Sequence, residues 1–212
     1  MAQLNFPQPP RLPDPPQGPL TGYFSGLLNT FRLFFNQLQS VLSALLGPNG
    51  GRYVDCPNGL FFHTGTQTLA AANTGYPVQF NTTYLSNAVS VVDGTKLTAA
   101  VGGVYNFQYS GCVESTSANA KNVYLWIVRD GVRIGYSTNG YTLVGSGTLG
   151  IIAWQFNIDL QAGSYIELYW SATDTAVELT TEPPATPHTG IPASVCAVNF
   201  IAPLPATLPT PP

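Results

Sequence analysis

Residues 101–113 read VGGVYNFQYSGCV, two glycines opening a run that alternates strictly. Tyr105, Phe107 and Tyr109 fall on one side of an extended chain and Asn106, Gln108 and Ser110 on the other, the period-2 signature of a strand with one buried side. A face of three aromatic rings needs a second sheet to bury it, so the run predicts a sandwich rather than an isolated hairpin.

Working outward, no proline occurs between residues 78 and 182 of a chain that holds 19. Proline is excluded from central strands, so this interval marks the sheet core. Within it, short apolar runs alternate with turn dipeptides at Asp93-Gly94, Gly102-Gly103, Asp130-Gly131, Asn139-Gly140 and Ala162-Gly163, as in a sandwich or barrel of many short strands. IIAWQFNIDL sets Ile152, Trp154, Phe156, Ile158 and Leu160 against Ala153, Gln155, Asn157 and Asp159, and SYIELYW turns Ile166, Leu168 and Trp170 inward. NVYLWIVRDGVRIG departs from alternation, because Val123, Leu125 and Ile127 on one side are matched by Tyr124, Trp126 and Val128 on the other. Two apolar faces predict burial on both, by the core and by something outside it, and a neighbouring subunit is the economical candidate. SVCAVNFIA reads as a last strand.

Toward the N-terminus the period changes. Phe24, Leu28, Phe31, Phe35, Leu38, Leu42 and Leu45 follow one another in steps of four and three, a heptad seam that Leu27, Phe34 and Val41 widen. The opposite face is Asn, Gln, Ser, Thr and one Arg, without the flanking charges of a dimeric zipper. A broad stripe favours three or more helices over two, and the competing reading is a single amphipathic helix packed on its own domain. The expected organisation is therefore a proline-rich extended anchor arm over 1–19, a trimerising helix over 20–47, a Gly/Pro hinge over 48–58, an all-β head over 59–203 and a proline-rich tail over 204–212. The arm cannot build a core and suits a peptide laid along a partner's groove, with Phe6, Pro9, Pro10, Arg11, Leu12 and Pro13 as its contacts.

Only 8% of residues are charged, against about a quarter in an ordinary soluble domain, while 44% are hydrophobic. Low charge with many aromatic residues suits a β-protein that hides surface in an assembly. A net charge of −3 offers no basic field for nucleic acid. MAQLNFPQPP lacks the build of a signal peptide, and the run 20–46 holds too many polar groups for a bilayer span, so cytoplasmic synthesis without membrane insertion is expected. Cys56, Cys112 and Cys196 are an odd number without metal spacing, which argues against a disulfide framework.

The stretches PVQFNTTYL, VSVVDGTKLTAAVGGVYNFQYSGCV, NVYLWIVRDGVRIGYS, FNIDLQAGSYIELYW and SVCAVNFI, together spanning about 78–201, resemble the complement-one-q and tumour-necrosis-factor jelly-roll family. Val104-Tyr105-Asn106-Phe107, Asp130-Gly131 and Leu160 to Leu168 fit its pattern, while Ser164 stands in place of the usual acid and Asn199 in place of the closing glycine. The resemblance implies a ten-stranded antiparallel jelly-roll sandwich, a compact homotrimer, and binding rather than catalysis. The proline-rich leader followed by GLLNTFRLFFNQLQSVL looks like virion proteins of tailed bacteriophages, in which an arm fastens a trimeric fibre, knob or decoration to capsid, portal or tail. That resemblance implies a virion protein made in the host cytoplasm, whose head stabilises the particle or adheres to a host-surface glycan. The rival setting is a secreted or cell-surface glycan-binding module, with Tyr141 and the stretches 138–147 and 172–190 handling sugar.

Chemistry is sparse. His63 and His188 lie far apart outside any metal-binding spacing, and no cofactor motif is present. Asp159, Glu167, Asp174, Glu178 and Glu182 gather toward the C-terminal strands, where a carboxylate pair would serve glycoside hydrolysis. Solvated strand and loop positions are the favoured reading, and no enzyme is expected.

Overall fold

A computed structural model describes residues 20–46 and 56–204 of the chain. The anchor arm with its Phe6, Pro9, Pro10, Arg11, Leu12 and Pro13 lies outside them, as do most of the hinge and nearly all of the tail. The chain divides into two compact units with the boundary after Cys56.

The first unit holds α1 (Leu20–Leu46), with no acidic residue in its first turn and no basic residue in its last. The helix dipole is thus uncompensated, and its stability has to come from packing of the apolar seam. Along that seam Phe24, Leu28 and Phe35 are 52%, 69% and 60% exposed, with Phe31 and Leu42 also open and Leu38 half-buried. Leu45 lies within α1, its side chain outside the described residues.

The second unit is an all-β antiparallel jelly-roll sandwich of two seven-stranded sheets. Its strands in chain order are β1 (Asn58–His63), β2 (Gln67–Thr68), β3 (Tyr76–Pro77), β4 (Thr82–Asn87), β5 (Val89–Val92), β6 (Lys96–Ala99) and β7 (Gly103–Ser115), then β8 (Lys121–Arg129), β9 (Val132–Arg133), β10 (Asn139–Leu143), β11 (Thr148–Leu160), β12 (Tyr165–Ala172), β13 (Val177–Leu179) and β14 (Ser194–Ala202). Ten of these have four or more residues; β2, β3, β9 and β13 are short additions that extend the sheets at their margins. Asn58, expected to end the hinge, instead opens β1.

One sheet runs β2-β13-β7-β14-β1-β4, with β11 pairing along the free side of β7; the other runs β10-β8-β12-β6-β5, with β3 on β12 and β9 on β8. β7 is the organising strand. β11 matches it from Leu160↔Gly103 to Thr148↔Ser115, and β14 lies on its other side with Val198↔Phe107 and Cys196↔Tyr109. Tyr105, Phe107 and Tyr109 are buried against Leu125, Ile166, Leu168 and Trp170 of the facing sheet. Phe107 stacks on Phe156 at 5.2 Å between ring centroids. Burying two tyrosines requires partners for their hydroxyls. Tyr105 donates to the Val101 carbonyl at 2.6 Å, and the Tyr109 hydroxyl lies 3.4 Å from Ser194 Oγ.

The two tight hairpins follow from their dipeptides. Asp93-Gly94 and Asp130-Gly131 both hold two successive residues at positive φ, the geometry that matches the twist of a two-residue hairpin. Asn139-Gly140 differs from expectation, since it pairs inside β10, where Gly140 lies opposite Tyr124. Gly103 likewise belongs to β7 rather than to a turn.

Candidate binding surfaces

Three surfaces of the head are set up by this topology. The first is the outer face of the β7 sheet. Alternation turns Asn106, Gln108 and Ser110 outward, and the register places Asn199, Ala197 and Val195 of β14 on one side of them and Asn157, Gln155 and Ala153 of β11 on the other. Asn106 Nδ2 donates to Asn157 Oδ1 at 2.8 Å and Gln108 Nε2 to Asn106 Oδ1 at 3.0 Å. Ile151 and Ile201 extend the same face and are about half exposed. These rows carry no charge; Glu114 and Asp159 stand only at the ends of the strands.

The second is a cleft of about 500 Å³ between the end of β1 and the hairpin that follows β13, lined by Phe62, Thr64, Glu182, Pro183, Ile191 and Pro192. Glu182 and Ile191 exchange backbone hydrogen bonds at 3.0 Å, which closes the hairpin. His188 lies in its tip and His63 at the end of β1, where His63 Nδ1 sits 2.6 Å from the Gly65 carbonyl.

The third surface is a cleft of about 280 Å³ that opens on the outer face of the β8 sheet and is lined by Tyr124, Trp126, Arg133, Ile134, Thr138 and Ser171. Its floor comes from cross-strand register, with Tyr124 opposite Ser171 and Trp126 opposite Tyr169. Its wall is the segment after the Asp130-Gly131 turn. Ile134 N–H donates to the Ile127 carbonyl at 3.0 Å, Ser137 Oγ donates to the Ile134 carbonyl at 2.8 Å, and Ile127 N–H donates to Ser137 Oγ at 3.1 Å. The Arg133 guanidinium lies 5.3 Å above the Trp126 ring, whose other close neighbour is Tyr169 at 5.9 Å. Gly75 is required here, because a Cβ at that position would stand 2.6 Å from Trp126 Cζ2. Burial, and after it the Glu167 carboxylate, push the Tyr169 phenol above its ordinary value, while Arg133 pulls it down. Trp126 Nε1 is buried without a hydrogen-bond partner, and Arg133 has no carboxylate within ion-pairing distance, among the described residues.

The second apolar side of β8 is covered only in part by its own chain. Val128 is buried within its own chain, Trp126 is half-buried beside Gly75, Tyr169 and Arg133, and Tyr124 is left 38% exposed as cleft lining. Tyr141, expected as an exposed sugar handle, is 38% exposed, and its ring lies by Gly150, where a Cβ would meet it at 2.7 Å. Arg133, Ile134 and Ser171 were not singled out as binding residues by sequence pattern, and Thr138 entered only as the first residue of the stretch 138–147. They reach the cleft through strand register, which leaves no local signal.

The carboxylates are dispersed. Asp159 pairs with Arg129 at 2.9 Å, bridging the two sheets at one end of the sandwich, and Glu167 accepts from Thr95 Oγ1 at 2.6 Å. Asp174 pairs with Lys121 at 2.6 Å, and Glu178 lies opposite Glu114. Among the described residues no group of three or more His, Cys, Asp or Glu side chains could hold a metal ion, and no helix is long and apolar enough to cross a membrane. Cys56 is exposed, Cys112 and Cys196 are buried, and burial pushes both buried thiols above their ordinary values.

No protein-family model matches the sequence. No curated protein matches it either. Among solved structures the chain is similar to the globular domain of zebrafish complement 1qA protein, at 16% identity and a TM-score of 0.46, over 70% of this chain and 98% of that one.

Proposed function

We propose that the protein is a structural virion component of a tailed bacteriophage, made in the host cytoplasm. It is a homotrimer fastened to capsid, portal or tail by its proline-rich N-terminal segment, and its jelly-roll head serves particle stabilisation or host-surface adhesion. The open apolar seam of α1 carries this reading. A Phe or Leu moved from water into a helical interface contributes about 1.5–3 kcal/mol, and Phe24, Leu28, Phe31, Phe35 and Leu42 offer five such side chains per helix. A contiguous apolar stripe of this size marks an association surface. The charge-free outer face of the β7 sheet supports self-association of the head as well, since interface centres are depleted of charged residues. The resemblance of residues 1–47 to phage attachment segments supports the virion setting. Binding rather than catalysis is the reading that the dispersed carboxylates support, with Asp159, Glu167 and Asp174 already partnered.

Sedimentation equilibrium of the full chain is expected to give a trimer mass, and an antibody against the head is expected to label intact particles. A monomer mass removes the trimer; unlabelled particles remove the virion setting.

A further inference from the structure

We propose that the cleft on the outer face of β8 and β12 is a carbohydrate site for a saccharide bearing an acidic group. This deepens the adhesion reading above and rests on it only in taking the head as a binding module.

Three observations converge on that ligand. Tyr124 and Trp126 line a cleft whose remaining walls are hydroxyl-bearing or aliphatic, Thr138, Ser171 and Ile134. Such a surface offers ring faces to the C–H side of a pyranose and hydroxyls to its edge. Its volume of about 280 Å³ sits at the small end of ligand sites, which suits a mono- or disaccharide unit rather than a peptide or a second protein. Arg133 is the cation of the cleft, and among the described residues no carboxylate neutralises it. A guanidinium held over an indole is the group that binds a planar carboxylate in two-pronged fashion.

Two features pre-organise the site. The Ile127, Ile134 and Ser137 hydrogen bonds fix the wall, and Gly75 lets the Trp126 ring extend across β12. In the bound state the acid group takes Arg133 and the sugar ring lies on the aromatic floor.

The test is a ¹H–¹⁵N titration of the full chain with trigalacturonate, with maltotriose as the neutral probe, following the Trp126 indole N–H signal. The expected result is a saturable shift with trigalacturonate at millimolar concentration or below. Arg133→Gln, a change at an exposed position, should weaken it about tenfold or more. Trp126→Phe should weaken binding of the same probe, followed through the Ser171 and Thr138 amides. Three results overturn the assignment: no shift with trigalacturonate, an equal response to maltotriose, or retention of full affinity in Arg133→Gln. An indole signal that moves with protein concentration alone shows a second copy in the cleft and also overturns it. Trimer mass, measured on the same samples, is independent of these outcomes, so failure of the sugar site and failure of the assembly reading are told apart.

Discussion

Lys121 and Asp174 show how single charges are used in a chain that has few. Lys121 Nζ lies 2.6 Å from one Asp174 oxygen, and the other accepts the Ala176 N–H at 3.0 Å. The Lys121 hydrogen bond first, and the Ala176 N–H second, hold the Asp174 carboxyl below its ordinary 3.8. A folded-state value below the unfolded one means that the unfolded chain binds more protons as the solution is acidified. The pair's contribution is therefore fully present above about pH 3.8 and is lost as pH falls through the depressed folded value. Asp174→Asn is expected to be less stable than the native chain near neutrality and indistinguishable from it in strong acid, as read by urea denaturation across that range. A stability difference that stays constant into strong acid would show that the substitution acts through the turn rather than through the charge. The buried Tyr109 hydroxyl and Cys196 thiol follow the same logic in the other direction, since desolvation leads both shifts and keeps both groups neutral.

At the scale of elements, α1 and the sheets differ in what completes them. β7 is paired on both sides and its ring face is covered by the second sheet, so neither its backbone nor its rings need anything from outside the chain. α1 has an open seam and uncompensated ends. Replacing Phe31 and Phe35 together by Asn is expected to lower the sedimentation mass at micromolar concentration while leaving the near-ultraviolet circular dichroism of the head unchanged. A native mass in that variant would place the organising contact elsewhere than on the seam. The same contrast explains how much was legible in the sequence. Strict alternation in VYNFQY and the seam of α1 are local periodicities, and Asp93-Gly94 and Asp130-Gly131 are local turn chemistry, so each could be read directly. Asn139-Gly140 carries the same turn chemistry, yet pairing with β8 absorbs it into β10, because a long partner strand outweighs a two-residue preference. The cleft on the β8 sheet was half legible for the same reason. Tyr124 and Trp126 announce an unusual outer face, but Tyr169 and Ser171 join them only through a register between distant strands, and Arg133 only through the hairpin that returns it over the indole.

For the molecule as a whole, the scarcity of charge becomes informative once its location is known. The charged side chains of the head sit at strand ends, in turns and on the β8 sheet, whereas the middle rows of the outer β7 sheet face are Asn, Gln, Ser, Ala and Val. A solvated sheet face ordinarily alternates with charged residues, so a face of neutral amides and small side chains is the composition of a contact surface. Gln108 stands at its centre, flanked by Ala197 and Gln155, and is itself exposed. A lysine there is free to reach solvent in a monomer. In a trimer packed through this face it becomes an unpaired charge removed from water, at a cost of several kcal/mol per chain. Gln108→Lys is therefore expected to dissociate the assembly, read by sedimentation equilibrium, without lowering the melting temperature of the resulting monomer. Thr116→Lys, an equal charge on an exposed position off this face, should leave the mass unchanged. If Gln108→Lys remains trimeric while the α1 variant does not, the helix alone holds the subunits and the heads hang side by side. If both variants dissociate, helix and head contribute jointly, and neither contact suffices once the other is lost.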